Sequence, residues 1–418
     1  MIFKSQTLVF HTMLNRNQIS KIKELLANFP CVVLLGARQV GKSTILKQLF
    51  PKAKIYDLEK EIDFNRINNN PDLFFNEIET KPIIIDEAQL SNNLFKSLRV
   101  AIDSEREQTG QFLLTGSSSP ELLKNISESL AGRVAIMEIP SLGINEAYEI
   151  KESKFAERIE DLSKLKKLKP NLERKQFDEF NFYGSYPEPF LKRKNTLFYD
   201  EWYENYVKTY IERDIRSLFP TLNLQAFKRF FTMLAYSSGE LINASNFARS
   251  LDVSQPTIKK YLEIAEGTFT WRSLNCYDKN TKKRLVKTPR GHLRDIGLIN
   301  YFLNIGSIEN LKSHPHYGRI WESFIIEEII KSISNHHSRV KFYFYRTHNQ
   351  SEIDLIIETK NSLIPIEIKS GSNTDIRKLQ SLSNFIEEQK CPYGILINKG
   401  EEIFMLSENI IQIPATYL

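Results

Sequence analysis

Over the first 140 or so residues, short apolar runs alternate with longer mixed stretches. The runs Val32–Leu35, Lys54–Leu58, Pro82–Asp86, Gln111–Thr115 and Val134–Ile139 read as strands. Continuous apolar runs of this length suit strands buried on both faces of a parallel sheet, and the segments between them are long enough for helices. Residues 151–180 are charge-rich and include Lys164-Leu-Lys-Lys-Leu-Lys169, which reads as a solvated helix face or a mobile linker. Residues 181–310 read as mostly helical and rich in Phe and Tyr. A mixed pattern returns after position 315: a helix over Ile320–Ser332, strands over Val340–Arg346, Glu352–Glu358 and Leu363–Lys369, a helix over Thr374–Glu388 and a strand over Tyr393–Asn398. The expected division is an α/β unit over 1–150, a helical region over 151–310 and a second α/β unit over 311–418. There is no internal repeat and no low-complexity tract.

Length and composition agree with this division. The 418 residues are more than one core usually serves, and 41% hydrophobic with 26% charged content is that of a globular chain. A net charge of +6 is compatible with nucleic acid without requiring it. The three cysteines, Cys31, Cys276 and Cys391, form no C-x-x-C pair. They speak against a disulfide framework or a cysteine zinc site, and suit a reducing cytoplasm. No apolar run approaches the roughly 18 residues that span a membrane, and no signal peptide is visible. His314 and His316, and His336 and His337, lack metal-ligand spacing and read as surface residues.

Chemistry enters at Gly36-Ala37-Arg38-Gln39-Val40-Gly41-Lys42-Ser43-Thr44, between the first strand and a helix. It fits G-x-x-x-x-G-K-[ST], a loop whose backbone N–H groups cradle phosphates. Lys42 is placed to reach the β- and γ-phosphates of ATP, and Ser43 to ligate Mg²⁺. A glycine turn that merely precedes a lysine is the plain alternative. The run Pro82-Ile-Ile-Ile-Asp-Glu87 supplies a strand ending in two carboxylates: Asp86 for the Mg²⁺ shell and Glu87 to orient and deprotonate water. In Gln111-Phe-Leu-Leu-Thr-Gly-Ser-Ser118, Thr115 is the candidate sensor between these carboxylates and the γ-phosphate, with Ser117 second. An ordinary strand-to-turn sequence is the alternative. Arg133, in Ser129-Leu-Ala-Gly-Arg133, is a candidate arginine finger for a neighbouring subunit or else a structural ion-pair partner. Arg38 is a second cation near the phosphates unless it packs outward.

Two further constellations lie downstream. Ala244–Ser254 followed by Gln255–Ala265 reads as helix-turn-helix: Ser254 caps the second helix, and Thr257, Lys259, Lys260 and Tyr261 are partly exposed. Lys279–Arg284 and Lys287–Arg290 then form a basic stretch, plausible as the wing of a winged helix. Such a unit could neutralise DNA phosphates or serve only as a packing lid. In the last unit, Asp354 on one strand and Glu367 and Lys369 on the next have the spacing of a Mg²⁺-dependent phosphodiesterase site, with Glu352 on the Asp354 side. Glu322 on the preceding helix is a further carboxylate. A fold kept for binding without cleavage is the alternative.

Taken together, the segments resemble a family of bacterial and archaeal AAA-type ATPases with a C-terminal domain of uncharacterised function. The P-loop, Ile83-Ile-Ile-Asp-Glu-Ala88, Leu114–Ser118 and Ser129–Val134 match its ATPase motifs. Gly184-Ser-Tyr-Pro-Glu188 is similar to its Gly-Gly-Phe-Pro-Glu, with Ser185 for the second glycine. Tyr206–Ile215 resembles its Tyr/Arg-Asp helix. Lys287-Thr-Pro-Arg290 and Asp295-Ile-Gly-Leu298 are similar to its Lys-Ser-Pro-Lys and Asp-x-Gly-Leu, with Arg290 in place of a lysine. The resemblance implies a central sheet in the order 5-1-4-3-2, a helical middle region and a C-terminal fold like restriction endonucleases. In that PD-(D/E)xK pattern, Asp354, Glu367 and Lys369 are the pattern residues and Glu322 the helix carboxylate. Homo-oligomers are typical of AAA ATPases.

The expected function is therefore ATP binding and hydrolysis on or with DNA. Alternatives are a nucleotide switch that recruits protein partners, or a nuclease whose Mg²⁺-dependent cleavage is licensed by ATP.

Overall fold

The computed structural model describes residues 14–91, 93–117, 120–216, 219–280, 288–337, 339–347 and 351–418. The first unit is built on five strands, β1 (Cys31–Gly36), β2 (Ile55–Asp57), β3 (Ile83–Asp86), β4 (Phe112–Ser117) and β5 (Val134–Glu138). They form one parallel sheet in the order β2-β3-β4-β1-β5, the order expected from the resemblance. Strand alternation feeds two cores. Val32 and Leu34 point into a large cluster shared with the rest of the chain, whereas Cys31, Val33 and Leu35 join Phe74, Phe75, Phe95 and Leu98 in a second core, against which Phe269 of the middle region also packs.

The charge-rich segment after the sheet is folded rather than a mobile linker. It forms short helices Phe155–Arg158 and Leu162–Leu165, with Asp161 capping the second. Phe155, Ile159 and Leu165 are buried, so apolar positions between the lysines anchor it while the lysines face water.

The middle region carries an aromatic spine. Tyr199, Trp202, Tyr203 and Tyr206 are buried along the helix Thr196–Thr209, and the Tyr206 ring stacks on both Trp202 and Tyr210. The helix continues as a π-turn over Tyr210–Ile215; the side chains of Arg213 and Asp214 lie outside the described residues. Next come helix Leu224–Tyr236, β6 (Glu240–Leu241), helices Ala244–Leu251 and Gln255–Gly267, and strands β7 (Trp271–Cys276) and β8 (Arg290–Leu293). The two helices turn through Asp252 in the left-handed region, and the Ser254 hydroxyl accepts from the Thr257 N–H at 3.2 Å, an N-cap worth ~1 kcal/mol. Lys259 and Lys260 are exposed. Tyr261, expected to be partly exposed, is instead buried against Phe227 and Phe230, because the helix Leu224–Tyr236 packs across it. Residues 281–287, which hold Lys282 and most of the basic stretch, lie outside the described residues.

After the long helix Tyr317–His336, strands β9 (Lys341–Arg346), β10 (Glu352–Glu358) and β11 (Leu363–Ile368), helix Gln380–Gln389 and β12 (Gly394–Asn398) follow in the expected order. Two strands not anticipated, β13 (Phe404–Ser407) and β14 (Ile410–Pro414), complete the edge. The sheet does not stop at this unit. β7 pairs in parallel with β9 at Asn275–Tyr343 and Cys276–Phe344, giving nine strands in the order β13-β14-β12-β11-β10-β9-β7-β8-β6. No helix among the described residues is long and apolar enough to cross a membrane. All three cysteines are buried and free.

Candidate nucleotide site and a second carboxylate cluster

The P-loop leaves β1 at its C-terminal end and enters the helix Lys42–Leu49 through Gly41. Gly41 has φ 95°, a left-handed conformation that favours glycine, and a Cβ there would lie close to Arg16, 3.3 Å from Nη1. Lys42 is buried and donates from Nζ to the Gly36 carbonyl at 3.1 Å and the Ala37 carbonyl at 2.9 Å. Burial lowers its pKa, and the nearby Glu87 and Asp86 work in the other direction. An ammonium held only by carbonyls is ready to exchange them for phosphate oxygens. Ala37 and Val40 are buried, Ser43 is half-buried, and Gln39 and Thr44 are exposed. Arg38 extends to Glu59, Nη2 to Oε1 at 4.0 Å.

The structure brings the three expected carboxylate and hydroxyl positions together. Asp86 ends β3, and Thr115 lies on the adjacent β4. The Thr115 hydroxyl donates to Asp86 Oδ1 and accepts the Glu87 backbone N–H at 3.3 Å. Glu87 sits in the left-handed region at φ 57°, which swings its side chain away from the strand axis. Its Oε2 accepts from Gln89 Nε2 and from Ser117 Oγ, the latter at 3.2 Å. Ser117 thus meets Glu87, while Thr115 joins the two acids. Asp86, Ser43 and Glu87 are hard oxygen donors of the kind Mg²⁺ takes.

Arg133 is elsewhere. β5 runs parallel to β1 with Val134 opposite Cys31, so Arg133 lies at the N-terminal edge of the sheet, away from the loop that follows Gly36. It makes a two-pronged contact with Asp103, Nε–Oδ1 at 2.6 Å and Nη2–Oδ2 at 2.8 Å. The structure does not bring it to the P-loop of its own chain.

Two buried ionic groups that sequence reasoning missed hold the loop in place. Arg16 donates to the Val40 carbonyl at 2.7 Å and the Pro140 carbonyl at 2.7 Å, and pairs with Glu146 at 3.2 Å. It therefore clamps the P-loop to the chain leaving β5. Behind the loop, a small void of about 20 Å³ is lined by Ala37, Val40, Tyr186, Phe269, Arg294 and Glu327, among others. There Arg294 and Arg272 bridge Glu138, at the end of β5, to Glu327 on the long helix. Burial disfavours the charge on Glu327, but the two guanidiniums prevail and hold its carboxyl down at about 2. Neither group carries a local signal, since the partners are scattered from position 16 to position 327.

The motifs at 184–188 and 295–298 form a structural latch. Asp295 accepts from Ser185 N at 2.7 Å, Ser185 Oγ at 2.9 Å, Tyr203 OH at 3.1 Å and Leu298 N at 2.8 Å. Gly184, at φ 80°, lies so near Gly297 that a Cβ would come within 2.7 Å of its nitrogen.

The C-terminal cluster also assembles, with an addition. Asp354 is buried; its Oδ2 accepts the Ile368 N–H at 2.8 Å. Lys369 pairs with Glu367 Oε1, while Glu367 Oε2 is buried with no hydrogen-bond partner. Burial and then the Asp354 charge push Glu322 and Glu367 up to about 8. Burial disfavours the charge on Lys369, but Asp354 and Glu367 outweigh it and raise the pKa. The addition is Arg290 from β8, with Nη1 3.1 Å from Asp354 Oδ1 and Nη2 2.8 Å from Glu352 Oε2. Among the described residues, no three His, Cys, Asp or Glu side chains converge as a metal site.

A buried P-loop lysine facing a strand-end Asp-Glu pair defines an ATP-binding domain of the AAA type. The AAA domain family matches residues 28–148, and two domains of unknown function, DUF8612 and DUF4143, match 174–309 and 317–418. The chain belongs to the same protein family as an uncharacterized protein of Mycobacterium tuberculosis, with which it is 30% identical over 404 residues, covering 96% of this chain and 83% of that one. An uncharacterized protein of Methanocaldococcus jannaschii is 24% identical over 375 residues, covering 86% and 79%. Among solved structures, the Walker-type ATPase of Pyrococcus abyssi aligns over 72% of this chain and 99% of its own with a TM-score of 0.44 at 14% identity. DnaA from Aquifex aeolicus aligns over 61% and 88% with a TM-score of 0.28 at 13% identity.

Proposed function

We propose that this protein hydrolyses ATP, acts on or with DNA, and carries a nuclease-like C-terminal domain, with its units divided near residues 150 and 310. The observation that carries the hydrolytic part is the Thr115 hydroxyl joining Asp86 to the Glu87 backbone beside Lys42. In this reading Ser43 and Asp86 would hold Mg²⁺, which neutralises charge on the β- and γ-phosphates. Lys42 leaves the Gly36 and Ala37 carbonyls for the phosphates. Glu87, released from Gln89 and Ser117, orients the attacking water and accepts its proton. Arg133 acts on the site of a neighbouring copy in a homo-oligomer.

The DNA part is supported by the exposed Lys259 and Lys260 on the second helix of a winged-helix-like unit, placed to contact phosphates without reading bases. The test is ATP turnover with and without single-stranded, duplex and branched DNA. Lys42→Ala and Glu87→Gln are expected to abolish turnover, and DNA to stimulate it in a salt-sensitive way. Turnover that survives Glu87→Gln rejects the hydrolytic assignment; indifference to every DNA form rejects the DNA part.

Two observations favour other readings. Glu87 is engaged by Gln89 and Ser117, which suits a slow nucleotide switch that recruits protein partners. Nucleotide-dependent capture of a protein by the Glu87→Gln variant would select it. The assembled Asp354, Glu367 and Lys369 suit a nuclease licensed by ATP, which predicts Mg²⁺-dependent cutting that is lost in Asp354→Ala and Lys369→Ala.

A further inference from the structure

Arg290 belongs to β8, and β7 and β9 separate that strand from β10, where its partners lie. Its side chain nevertheless passes over the Phe344 ring, 5.4 Å from the centroid, and is itself buried. It gives one N–H group to each of two carboxylates, Asp354 and Glu352. A single cation bridging two carboxylates from one side is what a bound divalent ion would do. Arg346 takes the other oxygen of Glu352 at 3.0 Å, so both oxygens of that carboxylate are paired.

The cluster is nonetheless incomplete. Glu367 Oε2 is buried and unpartnered, as is Arg290 Nε. A buried carboxylate oxygen left without a donor costs free energy that a cation at its side would recover. Glu322, on the long helix, belongs to the same charge cluster as Asp354 and Glu367. The guanidinium thus satisfies Asp354 and Glu352 but not the other two acids, whereas an ion with six oxygen ligands could serve Asp354 and Glu367 together. The donor set fits a divalent cation, and the present geometry holds an internal one.

We propose that Arg290 is an intramolecular stand-in for a divalent cation, so that the Asp354–Glu367 cluster takes up a metal ion only when the guanidinium is withdrawn. This rests on reading the cluster as a phosphodiesterase-like site and adds its regulation: the site is closed at rest by a strand of the preceding unit. A site open one-tenth of the time has its apparent affinity lowered about tenfold.

The experiment is Mn²⁺ titration of the nucleotide-free, full-length protein, read by electron paramagnetic resonance. The proteins compared are the natural chain, Arg290→Met, Arg290→Lys and the double variant R290M/D354N, each checked for a cooperative melt. Arg290→Met should bind Mn²⁺ at least about tenfold more tightly than the natural chain, with the gain erased in R290M/D354N. Arg290→Lys, which keeps the charge but loses the fork, should fall between them. If folded Arg290→Met binds no more tightly, or the gain persists in R290M/D354N, the proposal is overturned. If Arg290→Met does not fold, the lysine variant decides: tighter binding than the natural chain supports the proposal and equal binding overturns it. Tighter Mn²⁺ binding without cleavage of any nucleic acid supports the stand-in role and removes the nuclease reading alone.

Discussion

Arg16 and Glu146 stand 130 positions apart and form a buried ion pair, Nε to Oε2 at 3.2 Å, on which the P-loop rests. The same guanidinium holds the Val40 carbonyl, so its loss removes support from the loop and strands Glu146 without its cation. Breaking one partner of a buried pair costs about 3–5 kcal/mol. Arg16→Met is expected to lower stability by that amount in urea unfolding. It should also weaken binding of a fluorescent ATP analogue, although it adds no charge to the site.

Thr115 bonds the Asp86 carboxylate and the Glu87 backbone N–H but lies at the end of a strand rather than in the phosphate loop. Thr115→Val keeps the shape and removes the hydroxyl. Steady-state kinetics should show kcat down by ~10² or more with nucleotide affinity within a few-fold of the natural chain. A matched loss in affinity would place Thr115 in binding instead.

The pairing of Glu327 with Arg272 and Arg294 makes stability depend on pH in a defined direction. The carboxyl is depressed from 4.5 to about 2 in the folded chain. The unfolded chain therefore binds more protons between these values. The stabilisation is complete above pH ~4.5 and lost as pH falls towards 2. The shift corresponds to about 3 kcal/mol at most. Unfolding of Glu327→Gln should show a deficit of this order at pH 7 that narrows at pH 3.

Arg133 cannot serve its own nucleotide from the N-terminal edge of the sheet, so its proposed role requires a second copy. Arg133→Ala should keep nucleotide affinity and lose ~10²-fold or more in turnover. Mixing it with Lys42→Ala should restore part of the rate, because the second protein supplies the arginine to the intact P-loop of the first. Absence of rescue in mixtures that co-assemble would assign Arg133 to its Asp103 ion pair alone.

Local signals in the sequence carried much of the architecture. The five strand runs of the first unit, the cap at Ser254 and the Asp86-Glu87 strand end were each readable because a few neighbouring residues determine them. Two of the missed strands are of another kind. β6 is two residues long, and β13 is a short edge strand whose Phe404 is exposed, so neither has the apolar alternation that marks a strand. Tyr261 was misplaced because helical spacing does not reveal a neighbour packing across a second face. At the sites, Lys42, Asp86, Glu87 and Thr115 lay in contiguous motifs. Arg16, Glu146, Gln89 and the group around Glu327 gain their roles only from tertiary proximity. Arg290 was visible as a departure from a lysine motif, but its hold on Asp354 depends on strand order.

The pairing of β7 with β9 has a consequence for anyone who would take the protein apart. A cut near residue 310, where the sequence changes character, divides one hydrogen-bonded sheet and bares the edges of two strands that were each other's neighbours. Each fragment would offer a sticky border to any chain that could fill it. The smallest soluble piece bearing the Asp354 cluster should therefore begin upstream of Leu224 rather than at Tyr317.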